Sequence, residues 1–279
     1  MRLVDMNDLP RSRPAIFRAL GNAGPPQEVR AAGRTWRLAE VFKHDSWAAT
    51  ALYGGTKDGI VVKFNRRERI FFLPMAWLGR WLAAREAQAY QRLQGVPGVP
   101  PSCGAVQVGG NVWPNAFAHK YVEGHPLAMD ERPGLPFFDA LENLLRSMHA
   151  LDMAYLDLNK RENVLVTVEG RPCLVDFQIH FCPPGWLART PPVRRALRQL
   201  QDGDLYHLHK LRTFHTMGRD AMPGIPVPWP SRFWRIFYVH PVQWLRRRLL
   251  VALGIRKGEG LAISEREPEK AVRLGRRQP

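Results

Sequence analysis

Two oxygen-bearing side chains stand six residues apart in the stretch YLDLNKRENVLV, just before an apolar strand. They are Asp157 and Asn163, and a third, Asp176, follows the apolar stretch CLV downstream. Antiparallel pairing of the two stretches brings Asn163 and Asp176 together, which suits a hard cation such as Mg²⁺ that binds few protein oxygens plus phosphate. Asp157 is then left to orient or deprotonate a hydroxyl. Taken singly, Asp157 and Asn163 are equally typical of ordinary turns.

A lysine and a glutamate earlier in the chain are placed where a buried ion pair could form. In GIVVKF, Lys63 shares one strand face with Val61, while the other apolar residues share the opposite face. Glu86 lies on the apolar stripe of a predicted helix, and a carboxylate on the buried side of a helix requires a cation. The alternatives are an edge-strand lysine whose ammonium stays in water, and a solvated glutamate paired with a neighbouring arginine.

The rest of the pattern divides the chain into elements that position these groups. Antiparallel strands are predicted in RLAEVF, TALYGG and GIVVKFN, and further strands in GAVQVGG and AFAHKYVEG. Helices are predicted from about Ala76 to Leu93, in FFDALENLLRSMHAL and in DGDLYHLHKLRTFH. The stretch NVLVTVEGRPCLVDF is typical of a hairpin with a turn at EGRP. The first 35 residues are proline-rich and predict an irregular arm, with order beginning near Trp36.

These residues, in this order, resemble the protein-kinase fold over about residues 36–215 of the 279. Several segments are similar, more narrowly, to the small bacterial lipopolysaccharide-core and Kdo kinases and to the related RIO kinases. The segments that carry this resemblance are REAQAYQRLQGVPGVP, HKYVEGHPL, LDLNKRENVLV, LVDFQ and DLYHLHKL. The resemblance implies an α+β, two-lobed protein-kinase-like fold, with a small antiparallel-sheet N-lobe and a reduced, mainly helical C-lobe. It implies five parts: an arm (1–35), an N-lobe (36–118), a hinge (119–126), a C-lobe (127–220) and a basic aromatic extension (221–279).

The resemblance also implies a role for each candidate residue. Lys63 would hold the α- and β-phosphates of ATP and pair with Glu86, and Asp157 would be the catalytic aspartate. Asn163 and Asp176 would hold Mg²⁺. The adenine would lie at the hinge residues Tyr121, Val122 and Glu123, and Asp204 corresponds, as a weaker match, to the helix aspartate that braces the catalytic loop.

Four departures from the family pattern are visible in the sequence. The turn that should cover the phosphates, FKHDSWAAT, has no glycine, so backbone amides, Ser46 or Lys43 would have to contact the phosphates. The spacing from Asp157 to Asn163 is one residue longer than in the family, which requires a bulge in the loop. Gln178 replaces the glycine after Asp-Phe, which favours a permanently formed site. No Ala-Pro-Glu follows, and the short IHFCPPGWLARTPP in its place favours a small or lipid-linked acceptor over a peptide.

The resulting functional hypothesis is an ATP- and Mg²⁺-dependent phosphotransferase that moves the γ-phosphoryl group to a hydroxyl. The favoured acceptor is a sugar of lipopolysaccharide core or a similar lipid-linked glycan. One alternative is a RIO-like serine/threonine protein kinase, whose acceptor would be a protein hydroxyl. Another is a pseudokinase that acts as a membrane- or partner-binding scaffold, which the missing glycines and the lengthened loop motivate.

The charge and the C-terminal extension bear on partners and location. A net charge of +16 predicts an anionic partner, and residues 229–257 hold seven Arg or Lys and three Trp with no acidic residue. This segment is predicted to lie on an anionic membrane surface, the alternatives being a helix packed on the C-lobe and a nucleic-acid-binding surface. No apolar run is long enough to span a bilayer. Three cysteines without metal-like spacing fit a reducing compartment, so we expect a cytoplasmic protein, peripheral on the inner face of the membrane.

Overall fold

The computed structural model describes residues 15–218, apart from Lys57 and Phe71, together with Arg248. Residues 1–14 of the predicted arm and all of the predicted membrane segment 229–257 except Arg248 lie outside the described residues. The chain has the predicted mixed α+β composition and divides into two compact units. The first unit is Met1–Ala84 with Cys103–His119, and the second is Arg85–Ser102 with Lys120–Pro279.

The first unit is built on a curled antiparallel sheet of seven strands, ordered β6-β5-β1-β2-β3-β4-β7. The strands are β1 (Glu28–Ala31), β2 (Arg34–His44), β3 (Ala48–Tyr53), β4 (Ile60–Asn65), β5 (Gln107–Val108), β6 (Asn111–Val112) and β7 (Ala116–Lys120). The predicted antiparallel arrangement of β2, β3 and β4 is confirmed. On β4, Ile60, Val62 and Phe64 are fully buried in the core of this unit, and Lys63 lies with Val61 on the other face, as the alternation predicts.

Order begins earlier than predicted, because β1 starts at Glu28 inside the segment expected to be an irregular arm. The four-residue strand alternates exposed and buried positions, and Val29 and Ala31 are almost fully buried against the core. A strand of this length between two prolines and a tight turn gives too short a pattern to read from sequence. A single 3₁₀ turn at Ala15–Phe17 precedes it.

Helix α1 (Ala76–Arg92) matches its prediction to within one residue. It begins in the first unit, where Gly79 lies against the chain at Arg66. A Cβ atom on Gly79 would stand 2.1 Å from the carbonyl oxygen of Arg66, so only glycine permits this approach. The helix ends in the second unit, where its residues Glu86, Ala89 and Tyr90 are buried.

The second unit combines helices with a small sheet. The further helices are α2 (Leu135–Ala150), α3 (Gly185–Ala188) and α4 (Pro191–Met217), and the sheet has the order β10-β9-β8. Its strands are β8 (Gly124–Pro126), β9 (Val164–Thr167) and β10 (Pro172–Leu174). The predicted β9–β10 hairpin is confirmed, and so is the burial of the apolar stripe of α2, which comprises Leu141, Leu144, Leu145 and Met148.

Two elements of this unit differ from the sequence prediction. Helix α4 is longer than predicted, because it begins at Pro191 rather than near residue 202. Proline has no amide hydrogen, but an amide in the first helical turn has no partner within the helix. Pro191 and Pro192 can therefore begin α4. Strand β8 lies inside the predicted hinge and pairs with β9. Among the described residues, no helix is long and apolar enough to cross a membrane.

Candidate functional site

The loop between Tyr155 and β9 folds Asn163 back onto Asp157. Asp157 is buried, with 7% of its surface exposed, and its Oδ2 accepts hydrogen bonds from Lys160 Nζ at 2.7 Å and from Asn163 Nδ2 at 3.0 Å. The backbone amide of Lys160 donates to the carbonyl of Asp157, and that of Asn163 donates to the carbonyl of Lys160. These successive turns, the second within the 3₁₀ helix Arg161–Asn163, take up the additional residue of the loop.

The carboxylate of Asp204 on helix α4 holds the start of this loop. It accepts hydrogen bonds from the backbone amides of Tyr155 at 2.7 Å and Leu156 at 2.8 Å, and His149 Nε2 lies 3.1 Å from its Oδ2. Leu156 has a φ of +68°, in the left-handed region that non-glycine residues rarely adopt. Since Asp204 is only 1% exposed, its contacts fix the backbone directly before Asp157.

Asp176 is positioned through the backbone that follows β10. The amide of Val175 donates to the carbonyl of Asn163 at 3.1 Å, and the hydroxyl of Tyr155 donates to the carbonyl of Val175 at 2.5 Å. Asp176 itself has a left-handed φ of +60°. The ring of the next residue, Phe177, packs edge-on against those of Tyr90 and Tyr155, with centroids 4.9 and 5.3 Å away. Asn163 therefore has a direct backbone hydrogen bond with Val175, the residue before Asp176.

The electrostatics of this region reflect several carboxylates held in a buried environment. Burial raises the pKa of Asp157 and the nearby charge of Asp176 adds to the rise, while Lys160 and Asn163 oppose it. Burial also raises the pKa of Tyr155 well above its ordinary value, and Asp176 and Asp157 raise it further. Burial likewise raises the pKa of Tyr90, so Tyr90 and Tyr155 both remain protonated at neutral pH.

A divalent cation fits this donor set. The amide nitrogen of Asn163 donates to Asp157, which leaves its amide oxygen as the atom suited to a metal, and the carboxylate of Asp176 lies close enough to act on Asp157. Within the described residues, no group of three His, Cys, Asp or Glu side chains forms a metal cluster. Two oxygen donors, one from an amide and one from a carboxylate, would suit Mg²⁺, which takes few protein ligands and completes its shell with water or phosphate.

The predicted ion-pair residues are placed on their expected elements. Lys63 lies on β4 opposite Thr50 of β3 and is partly buried. Glu86 lies on α1 and is 1% exposed, so the prediction that its carboxylate lies on the buried stripe is confirmed. Its charge contributes to the raised pKa of Tyr90, after burial.

The predicted phosphate-covering turn between β2 and β3 is organised around a carboxylate. Asp45 Oδ1 accepts the backbone amides of Trp47 at 2.7 Å and Ala48 at 2.9 Å, and Asp45 Oδ2 pairs with Lys43 at 2.7 Å. The carbonyl of Ser46 accepts a hydrogen bond from the buried guanidinium of Arg66. Two amides and the lysine that were expected to meet phosphate are thus already engaged by Asp45. Burial raises the pKa of Asp45, but Lys43 and the two amides outweigh it and hold the pKa below 3.8.

The predicted hinge residues Tyr121, Val122 and Glu123 connect β7 to β8. The carbonyl of Glu123 accepts the amide of Val168 at 3.2 Å, which ties the segment to the end of β9. At Gly124, which has a φ of +159°, a Cβ atom would stand 2.2 Å from the carbonyl oxygen of Val166. Glycine is therefore required where this segment enters β8.

Sequence reasoning missed two side chains of the site. Lys160 was read as part of a bulge, although a cation three residues after Asp157 can turn back onto it once the intervening residues form a turn. Asp45 was missed because a phosphate-covering turn is expected to contain glycine. In FKHDSWAAT an aspartate that accepts the amides of its own turn takes that place, which is a common arrangement. The local sequence Asp-Ser-Trp carries that signal.

No protein-family model matches the sequence, and no curated protein matches it. The side chains around Asp157 therefore carry the argument for function.

Proposed function

We propose that this protein is an ATP- and Mg²⁺-dependent phosphotransferase with a two-lobed protein-kinase-like fold. The reaction is transfer of the γ-phosphoryl group to a hydroxyl, and the favoured acceptor is a sugar of lipopolysaccharide core or a similar lipid-linked glycan. The observation that carries the proposal is the cluster of Asp157, Lys160 and Asn163, held in place by Asp204. Burial of the Asp157 carboxylate raises its pKa, which means that burial disfavours the charged form. A carboxylate kept in such a place is typical of a functional site rather than of packing.

In this proposal Asp157 accepts the proton of the acceptor hydroxyl as that oxygen attacks the γ-phosphorus of ATP. The bond from this phosphorus to the β–γ bridging oxygen breaks, and ADP leaves. A carboxylate with a raised pKa is a better base than an ordinary aspartate, and the ammonium group of Lys160 limits that rise by favouring the ionised carboxylate. The same ammonium group can neutralise charge on the transferred phosphoryl, because it is half exposed. Asn163 and Asp176 would hold Mg²⁺, which when bound neutralises charge on the β- and γ-phosphates. Lys63 would hold the α- and β-phosphates, and residues 121–123 the adenine.

The fixed backbone around the site supports a permanently formed centre. Two residues here have a left-handed backbone, Leu156 and Asp176. The amide of Leu156 donates to Asp204, and the amide of Val175, the residue before Asp176, donates to the carbonyl of Asn163. Since positioning and charge neutralisation supply most of the catalysis in phosphoryl transfer, a rigid loop is an advantage.

A second candidate, a pseudokinase scaffold, is favoured by one observation in the first unit. Asp45 places a carboxylate among the amides of the predicted phosphate-covering turn, and phosphate would meet that charge. The two candidates differ in Mg²⁺-dependent turnover. A RIO-like protein kinase remains the enzymatic alternative, and it differs only in the acceptor.

The acceptor is tested by incubating the protein with γ-labelled ATP, Mg²⁺ and either a lipid-linked glycan extract or a mixed protein substrate. The proposal predicts label in the glycan fraction, and label in protein alone would replace the glycan acceptor by a protein hydroxyl. Asp157→Ala is expected to lose transfer while it keeps nucleotide binding, and Asp176→Ala is expected to lose both. Asp202→Ala is the matched control, because Asp202 is an exposed aspartate on α4.

A further inference from the structure

The first unit carries an exposed surface of large apolar side chains next to arginines. We call it the aromatic surface, and it consists of Phe72, Leu73, Trp77 and Trp81 with Arg69 and Arg80. Phe72 is 83% exposed, Trp77 59% and Trp81 51%. Two tryptophans and a phenylalanine exposed to this degree within ten residues are unusual for a soluble surface, and clusters of this kind mark interaction sites.

The turn that presents Phe72 is fixed at its base. The amides of Ile70 and Leu73 each donate to the other's carbonyl, at 3.0 and 2.9 Å, which closes a tight turn with Phe72 at its tip. The preceding residues are held by the buried guanidinium of Arg66, which donates to the carbonyls of Glu68 and Arg69 at 2.9 Å each. Phe72 is therefore held outward by the fold.

The two tryptophans of the aromatic surface lie on the exposed face of helix α1. Trp77 and Trp81 are four residues apart and share one helix face. The opposite face is anchored, because Gly79 lies against the carbonyl of Arg66 and Asn115 Nδ2 donates to the carbonyl of Ala76 at 3.1 Å. A rotation that buried the tryptophans would break these contacts.

Arginine outnumbers acidic residues in the chain segment that carries the aromatic surface. Between Asn65 and Ala84 the sequence holds four arginines and a single acidic residue, Glu68. Arg69 and Arg80 are exposed. Tryptophan, phenylalanine and arginine together suit the boundary between lipid headgroups and acyl chains, where indole rings lie at the headgroup level and arginines meet phosphate.

We propose that the aromatic surface docks on an anionic lipid bilayer. Phe72 and Leu73 enter the acyl boundary, Trp77 and Trp81 lie at headgroup depth, and Arg69 and Arg80 contact lipid phosphates. The residues of this surface, 69–81, are not part of the sequence segment 229–257, and the proposed lipid contact does not depend on any phosphotransfer activity. The charge favours an anionic bilayer over a protein partner, because the exposed arginines Arg69 and Arg80 can contact lipid phosphates while the exposed rings enter the boundary with the acyl chains.

A site-specific probe tests the contact in the full chain. Phe72→Cys, in a Cys182→Ser background, is labelled with an environment-sensitive fluorophore and mixed with vesicles of phosphatidylcholine containing one quarter phosphatidylglycerol. The control is Thr35→Cys, since Thr35 is exposed at the start of β2, at the far end of that strand from His44 and the β2–β3 turn. We expect a blue shift at position 72 with the anionic vesicles and no shift at position 35. Binding without a shift at position 72 would overturn the proposal and assign the contact to another segment.

Charge reversal separates the aromatic surface from the general positive charge of the protein. Arg69→Glu with Arg80→Glu is expected to weaken vesicle binding by about tenfold or more, since each basic residue near an anionic membrane contributes separately. Arg30→Glu with Arg34→Glu changes the net charge equally on the β1–β2 hairpin and is expected to have a much smaller effect. Equal losses in the two variants would overturn the proposal. Absence of binding to anionic vesicles would also overturn it, and self-association of the protein through this surface would be one such case.

Discussion

The carboxylate of Asp204 accepts a hydrogen bond from the backbone amide of Leu156 at 2.8 Å, and the left-handed φ of +68° at Leu156 turns the chain into the loop that carries Asp157. A right-handed helical or an extended backbone at Leu156 would send Asp157 in another direction. A carboxylate on α4 thus stabilises an unfavourable backbone conformation that the candidate site requires. Asp204 acts on the site through the backbone and is a positioning residue.

Asp204→Ala should therefore destabilise the protein and disturb the loop together. It leaves the buried amides of Tyr155 and Leu156 without their acceptor, and each such loss costs about 1–3 kcal/mol. We expect the free energy of unfolding in urea to fall by roughly 3 kcal/mol or more. Asp202→Ala, at an exposed position of the same helix, should change it by less than about 0.5 kcal/mol. Similar losses for the two variants would contradict the bracing role.

Lys160→Met should shift the pH dependence of the reaction. The ammonium group 2.7 Å from Asp157 lowers the pKa of that carboxyl against the effect of burial, so its loss lets the pKa rise further. The acid limb of the kcat/KM profile should move to higher pH, and kcat should fall by about tenfold to a hundredfold if the cation also neutralises the phosphoryl group. Lys210→Met on α4 serves as the control. An unchanged acid limb would contradict the assigned coupling of Lys160 to Asp157.

The stability of Asp157→Asn relative to the wild type should increase as the pH rises from acid to neutral. Because burial raises the pKa of Asp157 above 3.8, the folded protein binds this proton more tightly than the unfolded chain does. Ionisation of Asp157 therefore costs stability in the wild type as the pH rises through the folded pKa, whereas asparagine has no such cost. The Tm of Asp157→Asn minus that of the wild type should increase between about pH 4 and pH 7. A difference that shrinks with rising pH would show that Lys160 outweighs burial.

Asp45→Ser tests whether the β2–β3 turn limits nucleotide affinity. Serine can still cap the amides of Trp47 and Ala48, but it removes a negative charge and releases Lys43. Calorimetric titration with MgATP should give a Kd lower by about tenfold, which is about 1.4 kcal/mol. An unchanged Kd would mean that phosphate does not approach this turn.

The long periodic elements of the fold could be predicted from the sequence, and the short ones could not. Helix α1 was predicted to within a residue because its apolar stripe is long, and β4 because a short apolar run, now seen to be mostly buried, follows a turn. Strand β1 was missed because four residues between prolines and a turn carry little pattern. The start of α4 was missed because its two prolines are typical of both a loop and a first helical turn.

The candidate site divides in the same way. Asp157, Asn163 and Asp176 could be identified from residue type and order, because a hairpin brings the last two together. The contact of Lys160 with Asp157 could not, since it depends on how the lengthened loop folds. The successive turns through Lys160 and Asn163 return the side chain of Asn163 to Asp157 at 3.0 Å.

The central claim, that Asp157 catalyses phosphoryl transfer, is tested most directly by comparing Mg²⁺-dependent ATP turnover in the wild type and Asp157→Ala. The assay contains a lipid-linked glycan extract, and MgATP affinity is measured on the same preparations. We predict turnover in the wild type that falls by about a hundredfold to ten-thousandfold in the variant, at unchanged nucleotide affinity. Equal and negligible turnover in both proteins would contradict the claim and leave the pseudokinase scaffold as the better account.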